Sequence, residues 1–238
     1  MPRFYIEAEL AVNTQIELTE TVFHHWCKVL RAQVGDQATL FNGQGGEYEV
    51  ELTEVAKKSA TVQILTFTAT NRTPAIRTLL GQVMSKGDRM DYAIQKAVEL
   101  GVSEIQLLTS ERCEMRLKYD RDQKKIDHWQ GIAIAACEQC GMNIVPTIHA
   151  PVSLDKWLAS KLPATRLVLA PNKEKIDVLA HATPNIALLI GPEGGLSEAE
   201  ITTANEHGFI NWCIGERVLR TETAPVVALS ILNYNLVI

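Results

Sequence analysis

Ile186-Ala187-Leu188-Leu189-Ile190-Gly191-Pro192-Glu193-Gly194-Gly195-Leu196-Ser197-Glu198-Ala199-Glu200 is the stretch on which the fold turns. Its opening apolar run, closed by Gly-Pro, predicts a strand buried on both faces, the habit of a parallel sheet. Ser197 and Glu200 have the spacing of a capping box and predict a helix that stops at Gly208. Between strand and helix, three glycines in five residues strip Cβ atoms from the point where the strand leaves the sheet. Backbone without Cβ atoms can pass close to a flat ligand and offer it amide and carbonyl groups. A tight turn into the helix would account for the same glycines, and both readings stand.

Outward from this stretch the pattern repeats. Short apolar runs at 78–83, 104–108, 166–170 and 211–214 predict further buried strands, with helical periodicity at 88–100, 120–140 and 223–236. Strand alternating with helix predicts an α/β domain whose parallel sheet is covered on both faces. Residues 4–8, 37–41, 48–55 and 60–67 instead read as strands separated by turns, with one amphipathic helix at 19–31. That part predicts a small β-barrel with an inserted helix. Asn71-Arg72-Thr73-Pro74 is polar and disfavours helix, so the boundary is set there, giving units 1–70 and 75–238. The final helix is apolar nearly all round, which predicts burial either in the monomer or against a partner subunit.

With 238 residues and 46% hydrophobic content the chain can build sizeable cores. Neither a signal peptide nor a membrane span is read in it, which suggests the cytoplasm. The net charge of −5 argues against nucleic-acid binding by the whole surface. Two local basic groups remain, one at His24, His25, Lys28 and Arg31, the other from Arg112 through Arg116, Lys118 and Arg121 to Lys124 and Lys125; either could be a solvated face. Cys137 and Cys140 form a CxxC, but no second pair or suitably spaced histidines accompany it. It reads as two thiols on one helix, without metal.

In an α/β sheet the loops after the strands hold the ligand. Three stand out: Pro171-Asn172-Lys173, the glycine loop from Gly191 to Gly195, and Gly215-Glu216-Arg217-Val218-Leu219-Arg220-Thr221-Glu222-Thr223-Ala224. In the last, Thr223 as N-cap and Pro225 in the first helical turn explain part of the pattern and leave Arg220 and Glu222 without a structural reason. Neither GxGxxG after the first strand of the sheet nor GxxxxGK[ST] occurs, which removes most support for dehydrogenases and P-loop proteins.

The glycine loop with Leu196-Ser197, followed by Arg217-Val218-Leu219-Arg220-Thr221-Glu222-Thr223-Ala224, resembles the SPOUT methyltransferases, specifically the ribosomal RNA small subunit methyltransferase E family. The similarity extends to His24-His25, Val29-Leu30-Arg31, Val34-Gly35-Asp36, the Lys86 to Gly101 helix, Ser110-Glu111-Arg112 and Glu138-Gln139-Cys140-Gly141. The resemblance implies an N-terminal PUA-like barrel that helps bind RNA and a C-terminal parallel-sheet domain with a deep trefoil knot. General topology rules disfavour a knot, so that expectation rests on the resemblance alone. It also implies a homodimer packed through the knot and last helix, S-adenosyl-L-methionine as cofactor, and methylation of uridine N3 in the decoding region of 16S ribosomal RNA in the 30S subunit.

Carried over by position, the cofactor site would comprise Leu169, Ala170 and Pro171, then Gly191, Pro192, Glu193, Gly194 and Gly195, then Ile214, Gly215, Leu219, Arg220, Thr221, Glu222 and Thr223. Arg220 is expected to stabilise charge developing on the uracil oxygens, or else to pair with Glu222. Glu222 and Glu138 are the candidate bases, and either could simply hold Arg220. Arg3, His25, Lys28, Arg31, Lys86, Arg89, Arg112 and Arg116 are expected to contact phosphates. Met142 stands where family members commonly carry arginine. Two competing functions are a non-catalytic RNA-binding ribosome-assembly factor and a SPOUT enzyme acting on another RNA such as transfer RNA. The intact glycine loop argues against the first, and the N-terminal barrel against the second.

Overall fold

A computed structural model describes residues 1–115, 119–170 and 183–236. Two compact units are present, one formed by Met1–Thr73 with Cys137–Val145, the other by Pro74–Ala136 with Pro146–Ile238.

In the first unit, β1 (Arg3–Tyr5), β2 (Gln15–Glu17), β3 (Gln37–Phe41), β4 (Glu47–Val55) and β5 (Ala60–Thr68) form one sheet in the order β1-β3-β4-β5-β2. Only the β1–β3 pair is parallel. Alternation puts Val50 and Leu52 of β4 and Ala60, Val62 and Ile64 of β5 on the inner face with Phe4, Leu40 and Trp26. Two register shifts between β4 and β5 bend the sheet around that core. Helix α1 (Glu20–Phe23), capped by the Thr19 hydroxyl, passes into a π-helical segment, His24–Val29. The wider turn is closed by Leu30 N–H donating to the His25 carbonyl at 2.9 Å, and Arg31 follows at φ 60°. The sequence predicts one regular helix over 19–31. The burial of Val22, Phe23, Trp26 and Cys27 is kept, while the π turn changes how the exposed residues between them project.

The second unit is built on β6 (Arg77–Val83), β7 (Glu104–Thr109), β8 (Thr147–Ser153), β9 (Thr165–Leu169), β10 (Asn185–Ile190) and β11 (Ile210–Trp212), ordered β11-β9-β10-β6-β7-β8. Every pair is parallel. The chain starts at β6 in the middle, builds outward through β7 and β8, and resumes on the other side, so the direction reverses between β6 and β10. Such a switch point is where open parallel sheets place ligands. Ile186 through Ile190 are buried, and Ile190 lies opposite Gln82 of β6.

Among the described residues five helices accompany this sheet: α2 (Asp88–Glu99), α3 (Tyr119–Cys140), α4 (Leu154–Leu158), α5 (Glu198–Glu206) and α6 (Thr223–Leu236). The last turn of α3 belongs to the first unit. The Ser197–Glu200 capping box forms with both reciprocal bonds. Gly81 of β6 lets Trp157 of α4 lie against the sheet, because a Cβ there would stand 2.4 Å from the indole. Helix α6 buries Ala228, Leu229 and Leu232, and Asn233 donates to the Leu100 carbonyl at the end of α2. Part of the path that would form the expected knot, residues 171–182, lies outside the described residues. Among the described residues no helix is long and apolar enough to cross a membrane, and no cluster of three or more acidic, histidine or cysteine side chains could hold a metal ion.

Candidate active site

A cavity of about 470 Å³ opens at the carboxyl ends of β9, β10 and β11, within the range of small-molecule sites. Leu169 and Ala170 line it from β9, the glycine loop from β10, and residues 214–219 from the segment after β11. Ile190, Leu196, Ile201, Trp212 and Val227 make much of the wall apolar, suited to the face of a flat ring.

The two loops singled out in the sequence meet through one hydroxyl. Thr221, buried, donates to the Gly191 carbonyl at 2.8 Å and accepts from the Gln82 side-chain amide at 3.1 Å. Gln82 is itself buried in β6 and also donates to the Val83 carbonyl. A relay therefore runs from the middle of the sheet through Thr221 to the glycine loop and fixes the spacing between the two sides of the cavity. Gln82 was not among the sequence candidates, since a glutamine within an apolar run carries no motif. The available signal was its polarity at a buried strand position, where the amide must find partners.

Two of the glycines serve the tight turn from β10 toward α5. A Cβ on Gly191 would sit 3.0 Å from both Cγ and N of Leu196, and Gly195 has φ 67°. From the turn that follows β7, Arg112 lines the cavity and donates to the Gly194 carbonyl at 3.0 Å. Glu111 N–H donates to Glu200, which ties the same loop to the start of α5. Thus the glycine loop is held by Thr221 at one end and Arg112 at the other.

Of the residues expected at the cofactor, Leu169, Ala170, Gly191, Pro192, Gly194, Gly195, Ile214, Gly215, Leu219 and Thr221 line the cavity. Glu193, Arg220, Glu222 and Thr223 do not line it, and Pro171 lies outside the described residues. Arg220 is 81% exposed and stands 3.9 Å from Glu222, whose side chain is 15% exposed. That separation is long for a hydrogen bond, so the guanidinium is available to another anion. Glu222 keeps one buried carboxylate oxygen without a hydrogen-bond partner among the described residues. The backbone between them is already turning into α6, because the Arg220 carbonyl accepts from both Thr223 N–H and Ala224 N–H.

Residues 71–233 match the RNA methyltransferase domain family, and residues 18–65 match the RNA methyltransferase PUA domain family. The chain is 36% identical to the ribosomal RNA small subunit methyltransferase E of Buchnera aphidicola from Schizaphis graminum, over 98% of this chain and 96% of that one. The chain belongs to the ribosomal RNA small subunit methyltransferase E family. Its fold is shared by the small subunit methyltransferase E of Neisseria gonorrhoeae, solved bound to S-adenosyl methionine (TM-score 0.91, 38% identity, covering 98% of this chain and 97% of that one). A Legionella pneumophila protein solved with the same cofactor is equally similar (TM-score 0.93, 39% identity, 98% and 96% covered). The sheet of the first unit is thus the family's PUA domain, and the second unit carries the parallel-sheet fold of the SPOUT methyltransferases.

Within the PUA unit of this family member, His25, Lys28 and Arg31 are exposed on and just after the π turn. Lys28 lies over the Phe23 ring and His25 packs edgewise on Phe4. Arg3 is differently placed: it is paired with Glu47 and donates to Asn143 at 2.7 Å. Arg72 also pairs with Glu47, and this guanidinium, with Arg3 beside it, holds the Glu47 carboxyl down at about 2. Met142, the departure from the family pattern, is buried in this unit, and its carbonyl accepts from Arg3. Glu138 accepts from Tyr5 N–H at 2.9 Å; burial pushes its carboxyl above the ordinary range, against the pull of that bond. In the second unit Lys86 pairs with Glu114 and Arg89 with Glu193. Arg116 lies outside the described residues.

Proposed function

We propose that this protein transfers the methyl group of S-adenosyl-L-methionine to N3 of a uridine in the decoding region of 16S ribosomal RNA, in the 30S subunit. The observation that carries the reading is the Thr221–Gly191 bond, which closes two ligand loops around an apolar-walled cavity. The residues present fit the cofactor. The cavity has the volume for it, a Cβ on Gly195 would project into open space, and its apolar side chains suit an adenine ring. Bound there, the cofactor supplies an electrophilic methyl on a positively charged sulfur.

The protein's own part is mainly positioning. Fixing donor and acceptor in line can contribute about 7–11 kcal/mol, and the Gln82–Thr221–Gly191 relay keeps one wall of that alignment in place. Uridine N3 has to lose a proton as the N–C bond forms, and negative charge spreads onto the uracil oxygens. Arg220, exposed and at most loosely paired, stabilises that charge in this reading. Glu222, with a buried unpartnered oxygen, is the first candidate to take the proton or to aim Arg220. Glu138, the other expected base, is instead bound to the Tyr5 N–H within the first unit. Lys86, Arg89 and Arg112 in one unit, and His25, Lys28 and Arg31 in the other, supply phosphate contacts. The protein works in the cytoplasm as a homodimer through α6, whose Tyr234 is 87% exposed.

Incubating the protein with labelled donor and either free 16S RNA or 30S subunits lacking the modification, then mapping the labelled nucleotide, tests this. Label at uridine N3, with subunits preferred, is expected. Donor binding without transfer to either substrate, or label on a ribose, would overturn the assignment. In single-turnover assays at saturating donor, Arg220→Ala is expected to slow transfer about a hundredfold, the usual loss for one charge-stabilising donor. Sedimentation at micromolar concentration tests the dimer.

A further inference from the structure

Glu193 is the one charged residue of the glycine loop, and it does not face the cavity. Its Oε1 accepts from the Lys86 backbone N–H at 3.3 Å and from the Arg89 guanidinium at 2.8 Å. Lys86 Nζ lies nearby on Glu114, and Arg112 holds the next residue of the loop through the Gly194 carbonyl. Ser85, one position before Lys86, is buried with its hydroxyl oxygen unpartnered among the described residues. An anion oxygen received by one backbone amide and one guanidinium, with further cations at its edge, is how proteins hold a phosphate. Here a carboxylate of the protein's own cofactor loop fills the position.

We propose that Glu193 is a latch: its carboxylate occupies a seat for an RNA phosphate on Lys86 and Arg89, and an incoming phosphate displaces it and frees the glycine loop to adjust around the methyl donor. This rests on reading the site as that of an RNA methyltransferase. Ion pairing at partial exposure contributes little to stability, and both partners are partly exposed (Arg89 48%, Glu193 30%). A phosphate, with more charge and more acceptor oxygens, can therefore compete for the seat. Because the displaced residue lies between Pro192 and Gly194, which line the cavity, RNA and donor affinities become linked, and the linkage has to be reciprocal.

The test uses the full chain and hexauridylate as the RNA probe. Without donor, fluorescence anisotropy of labelled hexauridylate is compared for wild type, Glu193→Gln, Arg89→Ala and the double variant. A latch predicts that Glu193→Gln binds RNA about fivefold more tightly, and that this gain disappears in the Arg89→Ala background. No gain, or an equal gain in both backgrounds, overturns it, since general charge removal would act without Arg89. Calorimetry of S-adenosyl-L-methionine with and without hexauridylate is the second arm: RNA should shift donor affinity in wild type and leave it unshifted in Glu193→Gln. A shift of equal size in both proteins also overturns the latch. Absence of donor binding altogether would instead remove the methyltransferase reading, and the anisotropy arm would still report on the seat.

Discussion

The cavity at the ends of β9, β10 and β11 and the basic π turn are built on opposite principles. The cavity is shaped by backbone, glycines and one buried hydroxyl, and its lining is held through Thr221 by Gln82, which does not line it. Around His24–Val29 the basic groups are long exposed side chains on a scaffold of buried Val22, Phe23, Trp26 and Cys27. A site of the first kind fails sharply when geometry changes; one of the second kind loses affinity one charge at a time. Substitutions in each should therefore differ in size and in kind.

The largest effect is expected at Gly191. Gly191→Val would drive a side chain into Leu196, overpacking that costs about 3 kcal/mol, or about a hundredfold in donor Kd by calorimetry. An affinity within threefold of wild type would show that backbone geometry does not control the cavity. Next comes the Arg3–Glu47–Arg72 group, which belongs to neither principle and supports the PUA unit. With its carboxyl held at about 2, Glu47 contributes stability that is complete above the ordinary carboxylate range and is lost as the pH falls toward 2. Glu47→Gln should cost about 2 kcal/mol at neutral pH and flatten the acid limb of a denaturation profile.

Thr221→Val breaks the relay while preserving shape, and should weaken donor binding about tenfold. Gln82→Leu should do much the same, and the double variant should be little worse than either alone, because both interrupt one chain of bonds. Full additivity would mean that the two residues act separately. The smallest effect belongs to the basic turn. Arg31→Gly removes a cation at φ 60° without straining the backbone. It should weaken RNA binding about threefold and lower the salt slope by about 0.7 for single-stranded RNA.

Legibility followed how local each cause is. Buried strands such as 186–190, the Ser197 capping box and the extent of α6 are written in adjacent residues, and the sequence reads them to within a residue or two. Strand β8 was missed because it contains Pro151 and polar residues. It lies at the sheet edge, where a missing N–H costs little, and the Gln106 side chain donates to the Ala150 carbonyl at its irregular register. β2 and α4 are too short for any periodicity to show. The π turn keeps an ordinary helical burial pattern and so hides in it. At the site, the glycine loop and the Leu219–Thr221 segment were visible as residues, while the Gln82 link between them was not, because it joins residues 139 apart. Nor does any local pattern bind Cys137–Val145 to the first unit; bonds from Arg3, Tyr5 and Arg72 do that.

That last arrangement constrains the order of events during synthesis. Arg3 and Tyr5 leave the ribosome early, but Glu138 and Asn143, which satisfy them, are polymerised only after most of α3. The amino-terminal unit cannot finish first, as vectorial folding would otherwise favour. Its strands can all pair within residues 3–68, but the Arg3 guanidinium and the Tyr5 N–H have to wait for a strip of chain from beyond the middle of the polypeptide.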